Sequence, residues 1–354
     1  MIYLSRKNKI KVNYDSIRLE SIRNNVLLIG PRTLTVDITD RCNYRCKFCI
    51  PHGPYDNKAR ESVYTRDSVP FKELKNIFAQ AYTLGVECIN ICGDGEPLLH
   101  PRIIDILLHL KTYDFRVIVF TNASISEAVK RIVQLPAFNL SFMVNFSAVG
   151  PQQYSYIHGQ PATRFNKVLE NIRALNKAFP VTLNYLIFED TEHDLRVYLQ
   201  LSHSLGVKKI ILKFPNLYNF EQKKMLLSRE AVVRFLSKFK KMEQVAREYG
   251  ISLDYQRYLL NLCFQSCGKK KVKKCYQGWL FGHVKVNGNL YFCCSENKPL
   301  GRLRNGDFSK AYFSRRSLEY LIEGKKTVDV TSPKWRKCVH CSETDTNSII
   351  EQLV

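Results

Sequence analysis

Between residues 34 and 213 the chain alternates between two kinds of apolar pattern. Short, nearly continuous apolar runs fall at 34–39, 87–91, 116–120, 140–146, 181–188 and 208–213. Runs of this length read as buried strands. Between them apolar positions recur every three or four residues. After Pro70, the residues Leu74, Ile77, Phe78 and Ala81 share one helical face, with Gly85 beyond the end, which predicts a capped amphipathic helix. Val232, Phe235, Leu236, Phe239 and Tyr249 repeat that pattern before Gly250. Six β/α units in succession predict a parallel sheet with right-handed crossovers. The rhythm stops near residues 250–262, where cysteine density rises, and a domain boundary is placed there. Further on, Tyr276–Trp279 reads as an alternating strand, and Asn287-Gly288 between two alternating runs is a hairpin signal. Residues 1–33 are weakly patterned.

Candidate chemistry sits just after the first apolar run. Cys42-Asn-Tyr-Arg-Cys46-Lys-Phe-Cys49 places three cysteines within eight residues. A structural zinc site takes four ligands, commonly from paired C-x2-C hooks. Three thiolates instead suit a 4Fe–4S cluster with one iron left open for a small chelating molecule, which Phe48 is placed to cover. A zinc knuckle or three unrelated buried thiols are the plainer alternatives. Twelve cysteines in a chain whose first residues carry no signal-peptide-like apolar stretch point to reduced thiols and metal rather than disulfides. The expected location is cytoplasmic. No run of about 18 apolar residues occurs, so no membrane span is expected.

The spacing of these cysteines, with an aromatic residue before the third and a strand before the first, resembles the radical S-adenosylmethionine superfamily. The resemblance implies an α/β fold, an open (β/α)6 partial TIM barrel over residues 34–260 with its chemistry at the carboxyl ends of the strands. It implies that the open iron chelates the amino and carboxylate groups of S-adenosylmethionine, and that an electron from the cluster releases a 5′-deoxyadenosyl radical. Gly93-Asp94-Gly95-Glu96-Pro97 is similar to the family's Gly-Gly-Glu-Pro loop, with Asp94 as a departure. Thr121-Asn122-Ala123 stands where a Thr-Asn-Gly turn is common. Asn145 and Ser147 take the positions of a serine and an aspartate in the fourth strand's Ser-Leu-Asp-Ala. The resemblance therefore offers Phe48, Gly93, Asp94, Gly95, Glu96, Asn145 and Ser147 as cofactor contacts. Tyr154, Ile157 and Gly159 fit Tyr-x-x-Ile-x-Gly, with His158 in the place of an arginine. His158 reads as a surface or loop histidine. Cys88 and Cys92 share one face of the second strand and read as small buried hydrophobes, with hydrogen-atom donation the sharper alternative.

Residues 261–354 resemble the superfamily's SPASM/twitch extension, a small cysteine-rich α+β auxiliary-cluster domain. Cys275, Cys293, Cys338 and Cys341 would hold one auxiliary 4Fe–4S cluster, with zinc as the alternative. Cys294 is a substitute for Cys293, and Cys263 and Cys267 have no assigned role. The net charge of +22 divides as +5 in the arm 1–33, +8 in 34–260 and +9 in 261–354. The run Lys269-Lys-Lys-Val-Lys-Lys274 suits a solvated face or an acidic partner, such as a flavodoxin electron donor or an acidic substrate. Nucleic acid is less favoured, because no base-stacking aromatic pattern accompanies the run.

Three functions remain open from the residues. One is maturation of a ribosomal peptide or another natural product. The second is a radical dehydrogenase, dehydratase or epimerase acting on a small molecule of amino-sugar type. The third is a non-catalytic metal- or nucleic-acid-binding protein, against which the loops at Gly93–Pro97 and Asn145–Ser147 weigh.

Overall fold

The computed structural model describes residues 13–49, 51–54, 67–213, 227–254, 274–293, 299–329, 332 and 344–354. One sheet organises them. Its strands are β1 (Thr33–Asp37), β2 (Cys88–Cys92), β3 (Arg116–Thr121), β4 (Leu140–Asn145), β5 (Val181–Leu186), β6 (Lys209–Lys213), β7 (Ser252–Asp254), β8 (Phe281–Val284), β9 (Asn289–Tyr291) and β10 (Gly301–Arg302). The order across the sheet is β10-β9-β8-β1-β2-β3-β4-β5-β6-β7. All pairings from β8 through β7 are parallel, and β9 and β10 complete an antiparallel edge.

The six strands expected from the apolar runs are all present. The sheet is larger than those six. β7 follows the long helix Arg229–Glu248 and adds to the far edge, while β8 reaches back to pair with β1. C-terminal residues thus flank the first strand of the barrel. Tyr276–Trp279 is not a strand. Gln277–Leu280 forms a helical turn, and β8 begins at Phe281. The reason is packing: Tyr276, Gln277 and Trp279 are all buried, so neither alternate face is solvated. The turn seats the Trp279 indole so that Nε1 donates to the Val26 carbonyl at 3.1 Å. The hairpin itself is present. β8 and β9 are antiparallel, and Gly288 takes the turn with φ +80°, a region that favours glycine.

The register separates two faces. Thr35, Asn90, Ile118, Ser141 lie opposite one another across β1 to β4, and Asn145, Asn184, Ile211 across β4 to β6; Thr35 also lies opposite His283 of β8. Paired residues point to the same side of a sheet, so these form one largely polar face. The other face carries Leu34, Ile89, Val117 and Leu140, all buried and packed with the helices Phe71–Thr83, Ile103–Lys111 and Arg164–Ala178 in one core. Residues 1–33 hold a helix, Tyr14–Arg23. Its Arg18 is buried, donating to Gly30 O at 3.3 Å and Gly85 O at 2.6 Å and pairing with Glu87.

Candidate active site

β1 delivers the cysteine loop to the carboxyl ends of the strands. The loop is held from several sides. Lys47 N donates to Ile157 O of the helix Pro151–His158 at 2.9 Å, and Cys49 N donates to Cys46 O at 2.9 Å to close a turn. Gln160 Nε2 donates to Asn43 O at 2.8 Å. Tyr44 and Tyr154 join their hydroxyls beneath it.

Each of the three sulfurs faces a nitrogen. Tyr44 N donates to Cys42 Sγ and His52 N to Cys49 Sγ, both at 3.4 Å, and His158 Nδ1 lies 3.4 Å from Cys46 Sγ. Burial pushes the Cys42 thiol up to about 12, with the charges of Glu96 and Cys49 adding to it. Burial likewise holds Cys46 well above the usual thiol range, with Cys49 and Cys42 adding to the shift. Such thiols ionise when positive irons replace their protons. Among the described residues no three His, Cys, Asp or Glu side chains converge on a single ion. A 4Fe–4S cluster does not require this, because each thiolate takes its own iron. Three clustered sulfurs, each with a hydrogen-bond donor aimed at it, fit that cluster better than one ion.

The loop after β2 is interlocked with the cysteine loop. Glu96 N donates to Arg41 O at 2.7 Å. A side chain on Gly95 would strike the Arg41 carbonyl, so the close approach requires glycine here. The Glu96 carboxylate is buried and caps the short turn Pro97–Leu99, accepting from Leu98 N at 3.0 Å. It also accepts from Thr121 Oγ1 at 2.5 Å and Asn122 N at 2.7 Å. Burial pushes it up to about 7, against those three hydrogen bonds. The Thr121–Ala123 turn continues the lattice: Asn122 Nδ2 donates to Asn43 Oδ1 at 3.1 Å.

Asn145 is exposed at the end of β4 and accepts from Asn184 Nδ2 at 2.8 Å. Ser147 is buried, and its hydroxyl accepts from Leu186 N at 2.9 Å. Phe48 packs edge-on to His158 at 6.0 Å and against Phe188 at 6.5 Å. His158 is not on the surface. It is 1% exposed, and burial pushes its imidazole down to about 3. Its ring is stacked on Phe146 at 6.1 Å, an environment the sequence pattern alone did not separate from a loop.

The structure also gathers polar residues beside this loop that were not singled out from the sequence. Asp37, at the end of β1, is buried and accepts from His283 Nε2 at 2.9 Å. Lys285 Nζ lies 3.2 Å from Asp37 Oδ2 and 2.5 Å from Asp94 Oδ2. Burial alone would raise the Asp37 carboxyl, but His283 and Lys285 outweigh it and hold the group below its usual value. The period-two run Phe281, His283, Lys285 was the available signal. Cys88 is buried and Cys92 half-buried. Burial raises both thiols, with Asp37 adding at Cys92.

Of the second cysteine set, the structure describes Cys275, whose amide donates to Gly324 O at 2.8 Å, and Cys293, just past β9. Cys338, Cys341, Cys263, Cys267 and Cys294 lie outside the described residues, as do Lys269, Lys270, Lys271 and Lys273. Lys274 pairs with Glu351 at 2.8 Å. Among the described residues no helix is long and apolar enough to cross a membrane.

Residues 36–201 match the model of the Radical SAM superfamily. The chain is 25% identical over 224 residues to molybdenum cofactor biosynthesis protein 1 of Bos taurus, covering 61% of this chain and 34% of that protein. It is 27% identical over 187 residues to GTP 3′,8-cyclase of Peptoclostridium acidaminophilum, covering 51% and 54%. The match thus spans about a third to a half of these curated relatives. In fold, Streptococcus suis SuiB bound to S-adenosylmethionine superposes with a TM-score of 0.66 at 14% identity, over 98% of this chain and 81% of that one. Native anSMEcpe with bound AdoMet gives 0.59 at 16% identity, over 88% and 89%.

Proposed function

Because the chain belongs to the Radical SAM superfamily, we propose that it is an enzyme that cleaves S-adenosylmethionine reductively and takes a hydrogen atom from a substrate held over the polar face of the sheet. A 4Fe–4S cluster, when bound with S-adenosylmethionine, supplies the electron that splits the sulfonium and so yields a 5′-deoxyadenosyl radical. The observation that carries the reading is the set of three cysteine sulfurs, each with a nitrogen at 3.4 Å, on a loop bonded to Gly93–Pro97.

The residues then divide the work. Cys42, Cys46 and Cys49 would hold the cluster. Gly93, Asp94, Gly95 and Glu96 form the adjoining loop for the methionine end of the cofactor. In this chain Glu96 also fixes that loop to the Thr121–Ala123 turn. Phe48 covers one side, and Asn145 offers an exposed amide from β4. Ser147 ties the end of β4 to β5. The protein's task is to position and to exclude water, while the cofactor carries the hard chemistry.

The substrate we propose is a ribosomal peptide or another natural product. Asn90, Asn145 and Asn184 line the polar face with paired donors and acceptors of the kind that meet peptide groups. A small polar molecule is the second reading, supported by the relatives named as GTP 3′,8-cyclases. Cys275, Cys293, Cys338 and Cys341 are proposed to hold an auxiliary cluster, and an acidic protein such as a flavodoxin to supply electrons to the basic surface.

The test is anaerobic reconstitution with iron and sulfide, reduction, and mass-spectrometric assay for 5′-deoxyadenosine. Wild type should form it, and protein with Cys42, Cys46 and Cys49 all changed to alanine should not. A fully iron-loaded, reduced wild type that forms none, even with cell extract as a substrate source, would overturn the reading.

A further inference from the structure

The three loop sulfurs are not equivalent. Cys42 and Cys49 accept from backbone amides of their own loop, Tyr44 and His52. Cys46 instead meets a side chain from 112 positions downstream, the imidazole of His158. The ring's other nitrogen decides where its proton sits. His158 Nε2 lies 3.1 Å from Ser147 N. A backbone amide can only donate, so Nε2 is the nitrogen with the lone pair. The neutral ring therefore carries its proton on Nδ1, and that N–H is directed at the Cys46 sulfur.

The imidazole has little freedom to turn away. Phe146 stacks on it with an interplanar angle of 15°, Tyr154 lies against it at 5.1 Å, and the rings of Tyr44 and Phe48 each meet it edge-on at 6.0 Å. A donor fixed in this way is pre-organised and does not depend on solvent.

We propose that His158 is a positioning residue that sets the reduction potential of the cluster carried by the loop, through an Nδ1–H···Sγ hydrogen bond to Cys46. The proposal rests on the cluster reading above. A hydrogen bond to a ligating sulfur draws electron density from it, and so favours the reduced, more negative cluster. Backbone amides cannot be removed by side-chain substitution. Tyr44 and His52 donate through their backbone, whereas His158 donates through a side chain that substitution can change.

Two substitutions separate this role from packing. In His158→Gln the side-chain amide reaches toward the Nε2 position, can still accept from Ser147 N, and leaves Cys46 without the imidazole donor. In His158→Asn the amide reaches only as far as Nδ1 and restores a donor to the sulfur. Potentiometric titration followed by electron paramagnetic resonance should show a lower midpoint in His158→Gln. At a fixed potential the reduced-to-oxidised ratio should fall roughly tenfold, the scale of one hydrogen bond to a charged group. His158→Asn should return to the wild-type midpoint, with iron content equal in all three proteins. Nitrogen-15 resonance of the metal-free protein should show the His158 proton on Nδ1. Equal midpoints in iron-replete wild type and His158→Gln, or a proton found on Nε2, would overturn the proposal and leave the cluster reading standing. A wild type that takes up no cluster would overturn both.

Discussion

Lys285, from just beyond β8, sets its ammonium 2.5 Å from Asp94 in the loop that follows β2. The same ammonium lies 3.2 Å from Asp37 at the end of β1. Asp94 is the departure of this loop from the Gly-Gly-Glu-Pro motif it resembles, and Lys285 is the cation that meets it. Both side chains are about three-quarters buried, so the pair is worth more than an exposed one. Lys285→Met should cost more stability than Asp94→Asn, because it also strips a cation from the buried Asp37. Denaturant unfolding of the two single variants and the double variant should give a coupling energy of about 1 kcal/mol. Strict additivity would show that the contact does not operate in solution.

Iron content tests the division of the cysteines. On the proposed assignment of Cys42, Cys46 and Cys49 to one cluster and Cys275, Cys293, Cys338 and Cys341 to another, reconstituted wild type should hold the iron of two 4Fe–4S clusters. The triple alanine variant of Cys42, Cys46 and Cys49 should lose about half of it, since each cluster depends on its own thiolates. Loss of Cys338 should spare some cleavage of S-adenosylmethionine but abolish product. Tightly bound zinc alongside one cluster's worth of iron would refute the auxiliary assignment.

Glu96 makes stability depend on pH. Its carboxyl is raised from 4.5 to about 7 in the folded protein. The native state then binds a proton that the unfolded chain has already released between those values. Stability should therefore decline as pH rises from about 4.5 to 7, by about 3 kcal/mol at most for this group. Glu96→Gln should flatten that part of the profile, while losing one acceptor toward its three donors. A profile unchanged by the substitution would show that the group titrates near its ordinary value.

Arg18 should anchor the N-terminal helix. Its guanidinium is 2% exposed and reaches Gly30 O, Gly85 O and Glu87. Arg18→Ala would leave two buried carbonyls without their donor, at a cost of about 3 kcal/mol or more. Arg18→Lys should recover only part, since an ammonium cannot span all three acceptors. Unfolding midpoints equal to wild type in both variants would refute this anchoring.

Much of the barrel was legible because its signals are local. The apolar runs fell within a residue or two of the observed strands, and Asn287-Gly288 marked a real hairpin. The cysteine loop was legible from spacing alone. What escaped depended on distance along the chain. Nothing near His158 in sequence reveals that Cys46 and Phe146 will enclose it. Asp37 and His283 lie 246 positions apart, and only the pairing of β8 with β1 brings them together. Tyr276–Trp279 misled because it is buried on all sides, where alternation loses its meaning.

The pairing of β8 with β1 also sets a timetable. Until residues 281–284 exist, β1 has a neighbour on one side only, and the strand carrying the cysteine loop is an open edge. Open edges invite pairing with other chains. At roughly 5–20 residues per second of synthesis, the interval between making β1 and making β8 is on the order of tens of seconds. During it Asp37 has neither His283 nor Lys285 beside it. The first strand of the barrel is thus completed by a segment that leaves the ribosome long after it, and the cysteine loop reaches its finished surroundings only once that segment has been made.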